Sequence, residues 1–384
     1  MKFLEVTFET PSEKSGGGLG IIQSIESLKL CGDVDYIGPE FISESLSIEG
    51  DKKYLKYSRK ILDRFKSILE GVTSGYYQSW KKVEKDIEWE SYDFVFVEFT
   101  RYPFVVKAAK THNIPVVVRV HNVERDYFHN LYLTQKRIVH KLQEIIYSHQ
   151  ERKSIKLCDG MLVLTKEDKE RVISLFGEKH CKNIVVNPVC IRDRCRKTKK
   201  DREGFLITGS LWYGPNADGV IWFLNNVWKK FSEHSDVPLH IAGSRPNEEI
   251  RRLSKLYKNV ELIENPEDML PHFEQASCYI VPIFNGAGMK VKIAEAMMYG
   301  IPIIASEHAL IGYEYNEATK KFKSVCELME YMKEIESMPK EDLNTLVAIQ
   351  RKNYVEKYSI NSSANNYTRI ISKLQKINSG EDKI

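Results

Sequence analysis

The 384 residues contain no uninterrupted apolar run near the ~20 that a membrane-spanning helix needs. An excess of one charge sign is also missing. The 57 Lys and Arg stand against 53 Asp and Glu, a net charge of +4, which gives no argument for nucleic acid as a partner. The first residues, Met1-Lys2-Phe3-Leu4-Glu5, place an acid early and carry no signal-peptide core, which fits a cytoplasmic protein. Cysteine is sparse, with seven in the chain. An odd count without a secretion signal favours free thiols over a disulfide framework. Cys181, Cys190 and Cys195 lie near His180, but their spacing matches no standard zinc pattern. What remains is a chain 42% hydrophobic and 29% charged, long enough for two or three domains with large cores.

The stretch around which the chain is organised runs from Gly286 to Pro302. Before it, Ser277 to Ile283 reads as a short buried strand. Gly286 and Gly288, flanking Ala287, then allow a tight turn and close approach of a ligand to the backbone. A helix is expected from about Met289 to Tyr299, stopped by Gly300 and followed by Pro302. A glycine turn that opens a helix after a strand is a physical anion site, because free N–H groups and the positive end of the helix dipole face the ligand. Lys290 and Lys292 add positive charge. Lys292 and Glu295 are three residues apart and share a helical face. Phosphates at the helix start and ribose hydroxyls on the carboxylate would suit a nucleotide. Strand–glycine–helix turns are also common without any ligand, and charged helix residues often simply face solvent.

Taken in order, Phe3 to Phe8 reads as a first strand. A glycine-rich run, Gly16-Gly17-Gly18-Leu19-Gly20, and a helical pattern at Ile21, Ile22, Ile25 and Leu28 come next. The dinucleotide fingerprint is incomplete there. Asp33-Val34-Asp35 is either a metal-binding acid pair or the flank of a strand from Val34 to Ile37. From Asp51 to Glu70, Tyr54, Tyr57, Ile61, Phe65 and Ile68 recur at helical spacing, with basic residues off that stripe. Such a basic amphipathic helix either lies on an anionic membrane or presents a solvated outer face. Tyr92 to Glu98 and Pro115 to Val120 are strands. The second ends in His121-Asn122-Val123-Glu124, which places His121 and Glu124 at the carboxyl end of a strand, where open parallel sheets bind ligands. A structural role for His121 is the other reading. Leu131 to Ile155 is a long basic helical stretch, and Arg192 to Glu203 a charged linker. Phe205 to Gly209 begins a second series of alternating strands and helices, which predicts two doubly wound α/β domains facing a cleft.

These blocks together, in this order, resemble the retaining GT-B glycosyltransferases of family four. The residues carrying the resemblance are Gly16 to Gly18, His121 to Glu124, Cys158 to Thr165, Phe205 to Phe223 with Pro215-Asn216, and the run Glu295-Ala296-Met297, Gly300, Pro302. The resemblance implies two Rossmann-like domains. Residues 1–190 would form the acceptor side and 191–359 the nucleotide-sugar side, with a final helix at about 360–384 packing back on the first. It implies sugar transfer from a nucleoside-diphosphate sugar, with retention of configuration, to a glycan or lipid-linked glycan. No cofactor or metal would be required, because helix dipoles and cations stabilise the leaving diphosphate.

The resemblance further implies that His121, Lys292 and Glu295 are catalytic. The donor would be bound by Gly17, Gly18, Ser210, Arg245, Gly286, Ala287, Gly288, Met289, Lys290, Lys292 and Glu295. Glu295 would take the ribose and His121 the donor sugar. A lipid-linked acceptor would place a cytoplasmic enzyme on the inner face of a membrane, and the basic residues of the Asp51–Glu70 segment would then dock it on anionic lipid. Two departures stand out. Ala287 occupies the place of a Glu that the family carries eight residues before Glu295. The Ser210-Leu211-Trp212-Tyr213-Gly214 loop lacks the family's Arg and Lys. Ala287 motivates one alternative, an inactive glycosyltransferase-like partner or chaperone subunit, and the GT-B architecture itself leaves a second, a nucleotide-sugar epimerase.

Overall fold

The computed structural model describes residues 1–13, 16–41, 46–69, 72, 74–181, 183–195, 202–286 and 288–379. The chain divides into two compact units. One is Met1–Pro188 together with Ile360–Ile384, and the other is Val189–Ser359. Each is an open, all-parallel sheet covered by helices, and the two-Rossmann-unit arrangement is the GT-B architecture.

The first unit holds β1 (Lys2–Val6), β2 (Asp33–Gly38), β3 (Lys52–Tyr54), β4 (Phe94–Glu98), β5 (Val116–Val120), β6 (Gly160–Val163) and β7 (Ile184–Val186). Their order in the sheet is β3-β2-β1-β4-β5-β6-β7. Parallel strands need helical crossovers, so both faces are covered and the strands read as nearly continuous apolar runs. Phe94-Val95-Phe96-Val97-Glu98 and Val116-Val117-Val118-Arg119-Val120 are buried at every position. On one face, Phe3, Phe96 and Val117 pack under Tyr367, Ile370 and Leu374 of the terminal helix Ile360–Ser379. On the other, Leu4, Val6, Val95 and Val97 join a core that includes Trp80.

The second unit repeats the plan with β8 (Phe205–Ser210), β9 (Leu239–Ser244), β10 (Val260–Glu264), β11 (Cys278–Val281), β12 (Ile303–Ser306) and β13 (Thr319–Phe322). Their order is β10-β9-β8-β11-β12-β13. Its core centres on Trp228, fully buried among Phe205, Phe223 and Phe231. Emptying such a site typically costs about 3–5 kcal/mol. In each sheet the chain reverses its winding direction once, between β1 and β4 and between β8 and β11. Crevices open at such points beyond the carboxyl ends of the strands.

Several sequence expectations are corrected. Asp51 to Glu70 is not one helix. Lys52–Tyr54 is an edge strand pairing with Tyr36 to Gly38, Leu55 is buried, and the helix spans only Ile61–Leu69. Glu70 lies outside the described residues. Edge pairing gives the backbone of Lys52 to Tyr54 its hydrogen bonds, and that outweighs the helical spacing of Tyr54 and Tyr57. The basic stretch from Leu131 to Ile155 is two helices, Glu124–Gln135 and Ile138–Leu157. Lys136 ends the first in the left-handed region, φ 55°. The Gly16–Gly20 run is the start of the helix Gly16–Lys29 rather than a loop before it. The helix expected from Met289 begins at Val291 and ends at Met298, with Lys290 still extended. Among the described residues, no helix is long and apolar enough to cross a membrane.

Candidate functional site

In the second unit the turn between β11 and the helix Val291–Met298 is held in an unusual backbone path. Gly286 and Gly288 have φ of 97° and 72°, the left-handed region that side-chain-bearing residues rarely adopt. The turn is clamped through carbonyl oxygens. Gly286 O lies 2.7 Å from His308 Nε2 and accepts from Lys290 Nζ at 3.0 Å, while Gly288 O accepts from Lys290 Nζ at 2.7 Å. Tyr313 OH donates to Lys290 O at 2.9 Å. Lys290, expected to offer charge to a ligand, therefore braces the turn here. Burial pushes its ammonium down to about 8. Met289 is buried beneath the turn, and Ala287 lies outside the described residues.

Lys292 reaches back to the carboxyl end of the central strand β8. Its Nζ donates to Thr208 O at 2.7 Å and Asn216 Oδ1 at 2.8 Å. Asn216 sits in the first turn of the helix Gly214–Phe223. Gly209 makes this reach feasible, because a Cβ there would stand 2.7 Å from Lys292 Nζ. Burial also lowers Lys292, to about 8, against the opposing pull of Glu295. Glu295 lies one turn along the same helix. Its carboxylate is partly accessible and makes no hydrogen bond to the described residues. Burial raises its carboxyl, while Lys292 and Arg194 pull it down. The result is a pinned cation, the start of a helix and an unspent carboxylate near the point where β8 and β11 diverge.

The loops after β8 and β9 frame this cluster. Ser210 ends β8, and its carbonyl accepts from Tyr213 N at 3.0 Å and Asn216 Nδ2 at 3.2 Å. Arg245 follows β9 with φ 48°. Its guanidinium lies 4.4 Å above the ring of Trp212, which is about half exposed. That pair supplies a flat, cationic surface beside the turn.

The first unit builds its own constellation. His121 follows β5, and its Nε2 bonds Glu98 Oε2 at the end of β4. Phe99 stacks on the imidazole at 4.1 Å between centroids. On the other side runs the helix Gly16–Lys29, where a Cβ on Gly20 would stand 2.9 Å from His121 Cε1. Gly17 lies near the Phe99 ring, its Cβ position 3.6 Å from Cζ, and Gly18 is buried one position on. Burial works to raise the Glu98 carboxyl, but His121 and Arg119 outweigh it and hold it down at about 2. An ionised carboxylate only accepts hydrogen bonds, so Nε2 carries the proton. Burial lowers His121 itself, Glu98 opposing. Behind them, burial and the Glu98 charge keep the fully buried Glu5 carboxyl well above the usual range. Glu98 is thus ionised beside a protonated acid.

Glu124, at the first turn of the helix Glu124–Gln135, is buried and stands 3.2 Å from Arg101 Nε. Burial pushes it up to about 7 despite Arg101. Glu151 accepts from the Glu124 N–H at 3.0 Å and from Thr100 Oγ1 at 3.2 Å, capping that helix. Asp35 is spent on structure, bonding Lys2 Nζ at 3.0 Å, Tyr92 OH at 2.8 Å and Asp51 N at 2.8 Å.

The structure therefore gathers Ser210, Gly286, Gly288, Met289, Lys290, Lys292 and Glu295 at the carboxyl ends of β8 and β11, with Arg245 in the loop after the neighbouring β9. It gathers Gly17, Gly18 and His121 in the other unit. Sequence reasoning missed Glu98, Phe99, Gly20, Thr208 and Asn216 as members of these clusters. Glu98 carried one signal, a carboxylate ending an otherwise apolar strand. The others are brought in by sheet register alone.

Residues 202–330, within the second unit, match the family model described as Glycosyl transferases group 1. A Klebsiella pneumoniae protein described as an uncharacterized 44.6 kDa protein in cps region is 25% identical over 388 residues, covering 93% of this chain and 97% of its own. Solved structures with the same fold include a glycosyltransferase from Rickettsia africae ESF-5, with TM-score 0.66 and 15% identity, covering 98% and 99% of the two chains. Another is Anabaena HepE in complex with UDP and glucose, with TM-score 0.65 and 11% identity, covering 97% and 100%.

Proposed function

We propose a retaining transfer of a sugar from a nucleoside-diphosphate sugar to a glycan or lipid-linked acceptor, a reading supported by the match of residues 202–330 to the group 1 glycosyl transferases. The observation that carries this reading is the Glu295 carboxylate, partly buried and bonded to none of the described residues, one turn from the pinned Lys292 Nζ. A buried acceptor without a partner is costly, and a ribose diol supplies two donors of the right geometry. Lys292, the turn at Gly288 and the start of the helix Gly214–Phe223 stabilise the charge that develops on the leaving diphosphate. In the reaction the bond between the sugar's C1 and the diphosphate oxygen breaks. The acceptor oxygen bonds C1 on the same face, and its proton passes to the departing phosphate. The neutral imidazole of His121, locked by Glu98 and Phe99, is assigned to the donor sugar.

The complex of HepE with UDP and glucose supports a nucleotide sugar as the donor class. The helix Ile61–Leu69 supports docking on an anionic surface in a narrower form than the sequence suggested. It exposes Ile61, Leu62, Phe65 and Ile68 beside Arg64 and Lys66.

A thermal-shift screen of UDP, GDP and ADP and their sugars tests the donor assignment. A ligand at a hundredfold excess over its Kd adds about 2.7 kcal/mol. One base is expected to raise the melting temperature well above the others. No shift with any of them contradicts the assignment.

A further inference from the structure

The first unit contains a cavity that the chemistry above leaves unused. It encloses about 200 Å³, the scale of a single sugar ring. Its walls include Tyr57, Tyr76, Tyr102 and Tyr147, and its polar groups include Glu9 and Arg101. Tyr57 packs edge-on against Tyr76 with centroids 5.1 Å apart, and about half of Tyr57 faces solvent at the rim. Aromatic faces set around a small polar-tipped cavity match a pyranose. The ring's C–H face packs on the aromatics, and its hydroxyls need charged or amide partners.

The polar groups are placed to read hydroxyls. Glu9 Oε1 accepts from Arg101 Nη2 at 3.1 Å and lies 3.4 Å from Tyr102 OH. Its second oxygen makes no bond to the described residues, and the side chain is 44% exposed. Arg101 is rigid. Its guanidinium lies 4.7 Å above Phe99, 5.5 Å above Tyr147 and 5.9 Å above Tyr102, with Glu124 held at Nε. The same Phe99 ring stacks on His121. A continuous stack, Arg101 on Phe99 on His121, therefore runs from the cavity to the residue assigned to the donor sugar.

We propose that this tyrosine-lined cavity binds one neutral pyranose, the terminal sugar of the acceptor. The proposal rests on the glycosyltransferase reading and adds the acceptor's class to it. Neutrality follows from charge. Two carboxyl groups, Glu9 and Glu124, face one guanidinium, and an acidic sugar would meet the open oxygen of Glu9. The volume admits one ring, so the rest of the glycan leaves past Tyr57.

Saturation-transfer NMR on the full chain without nucleotide provides the test. The probes are methyl pyranosides of neutral hexoses and of the corresponding hexuronic acids. Transfer to at least one neutral methyl pyranoside is expected, with none to the uronates. Tyr57→Ala and Glu9→Gln, both at the exposed rim, are expected to cut that transfer at least fivefold while the melting temperature and the nucleotide-induced shift stay unchanged. Absence of transfer to every neutral probe overturns the proposal. So does equal transfer in both variants, or equal transfer to the uronates. If nucleotides bind but pyranosides do not, only the cavity assignment fails. If neither binds, the donor reading fails with it.

Discussion

Two glycine runs, Gly16 to Gly20 and Gly286 to Gly288, look alike in the sequence and do different physical work. The second uses glycine for its backbone. Gly286 and Gly288 sit at φ 97° and 72°, and the nearest atom to a Cβ on Gly286 would be a comfortable 3.6 Å away at Pro215. The first uses glycine for what it lacks. Gly16 to Gly20 are ordinary helix residues, but Gly20 lets that helix lie against His121, where a Cβ would intrude to 2.9 Å. One run shapes a turn, and the other makes room for a ring.

The His121 side depends on a buried carboxylate whose closest partner is the His121 ring N–H, so it is the more fragile. Replacing His121 with Ala leaves the Glu98 carboxylate buried without its closest partner, and stranding a buried charged acceptor typically costs about 3 kcal/mol or more. Urea unfolding of His121→Ala should show a loss of that size. A loss under 1 kcal/mol would mean that the pair is not buried as described. Glycine-to-alanine changes then separate the two runs. Gly288→Ala should cost about 1–3 kcal/mol through backbone strain at its φ of 72°. Gly20→Ala keeps an allowed backbone and instead displaces the imidazole, at about 1–3 kcal/mol for overpacking. The His121 ring NMR signals should move in Gly20→Ala and stay in place in Gly288→Ala. The same shift in both would erase the distinction.

A pH series sharpens the comparison further. Burial lowers Lys292 from its ordinary 10.5 to about 8, so the folded state binds that proton more weakly than the unfolded chain. Stability from this residue is therefore reduced below about pH 8 and recovers as pH rises towards 10.5. Diphosphate binding runs the other way, because it needs the charged ammonium. Nucleotide affinity should be full below about pH 8 and weaken by up to tenfold per pH unit above it. A flat profile in calorimetry from pH 7 to 9.5 would remove Lys292 from the phosphate site. The smallest effect is expected at the surface helix Ile61–Leu69. Phe65→Glu should reduce flotation with anionic vesicles, each nearby basic residue contributing about 1 kcal/mol at low salt. Equal flotation of both proteins would show that the helix does not dock.

Much of the fold was legible because each strand–helix alternation is local. Runs such as Tyr92 to Glu98 and the turn at Gly286 declare themselves within ten residues. The Asp51–Glu70 segment misled because Tyr54, Tyr57 and Ile61 fall at helical spacing, while the deciding interaction, pairing with Tyr36 to Gly38, is not local. The break at Lys136 was hidden because a lysine rather than a glycine takes the left-handed position. In the site, Glu295 and Lys292 were readable from one helix. Glu98, 23 residues before His121, and Asn216, 76 before Lys292, reach their partners only through sheet register and crossover. No spacing rule along the chain carries that information.

The central claim is that Glu295 holds the ribose of a nucleotide. Calorimetric titration of Glu295→Gln with the nucleotide selected by the screen tests it most directly. Loss of a hydrogen bond to a charged group predicts an affinity weaker by about 1.5–3 kcal/mol, roughly 10- to 150-fold, with the melting temperature of the free protein unchanged. An unchanged Kd would contradict it.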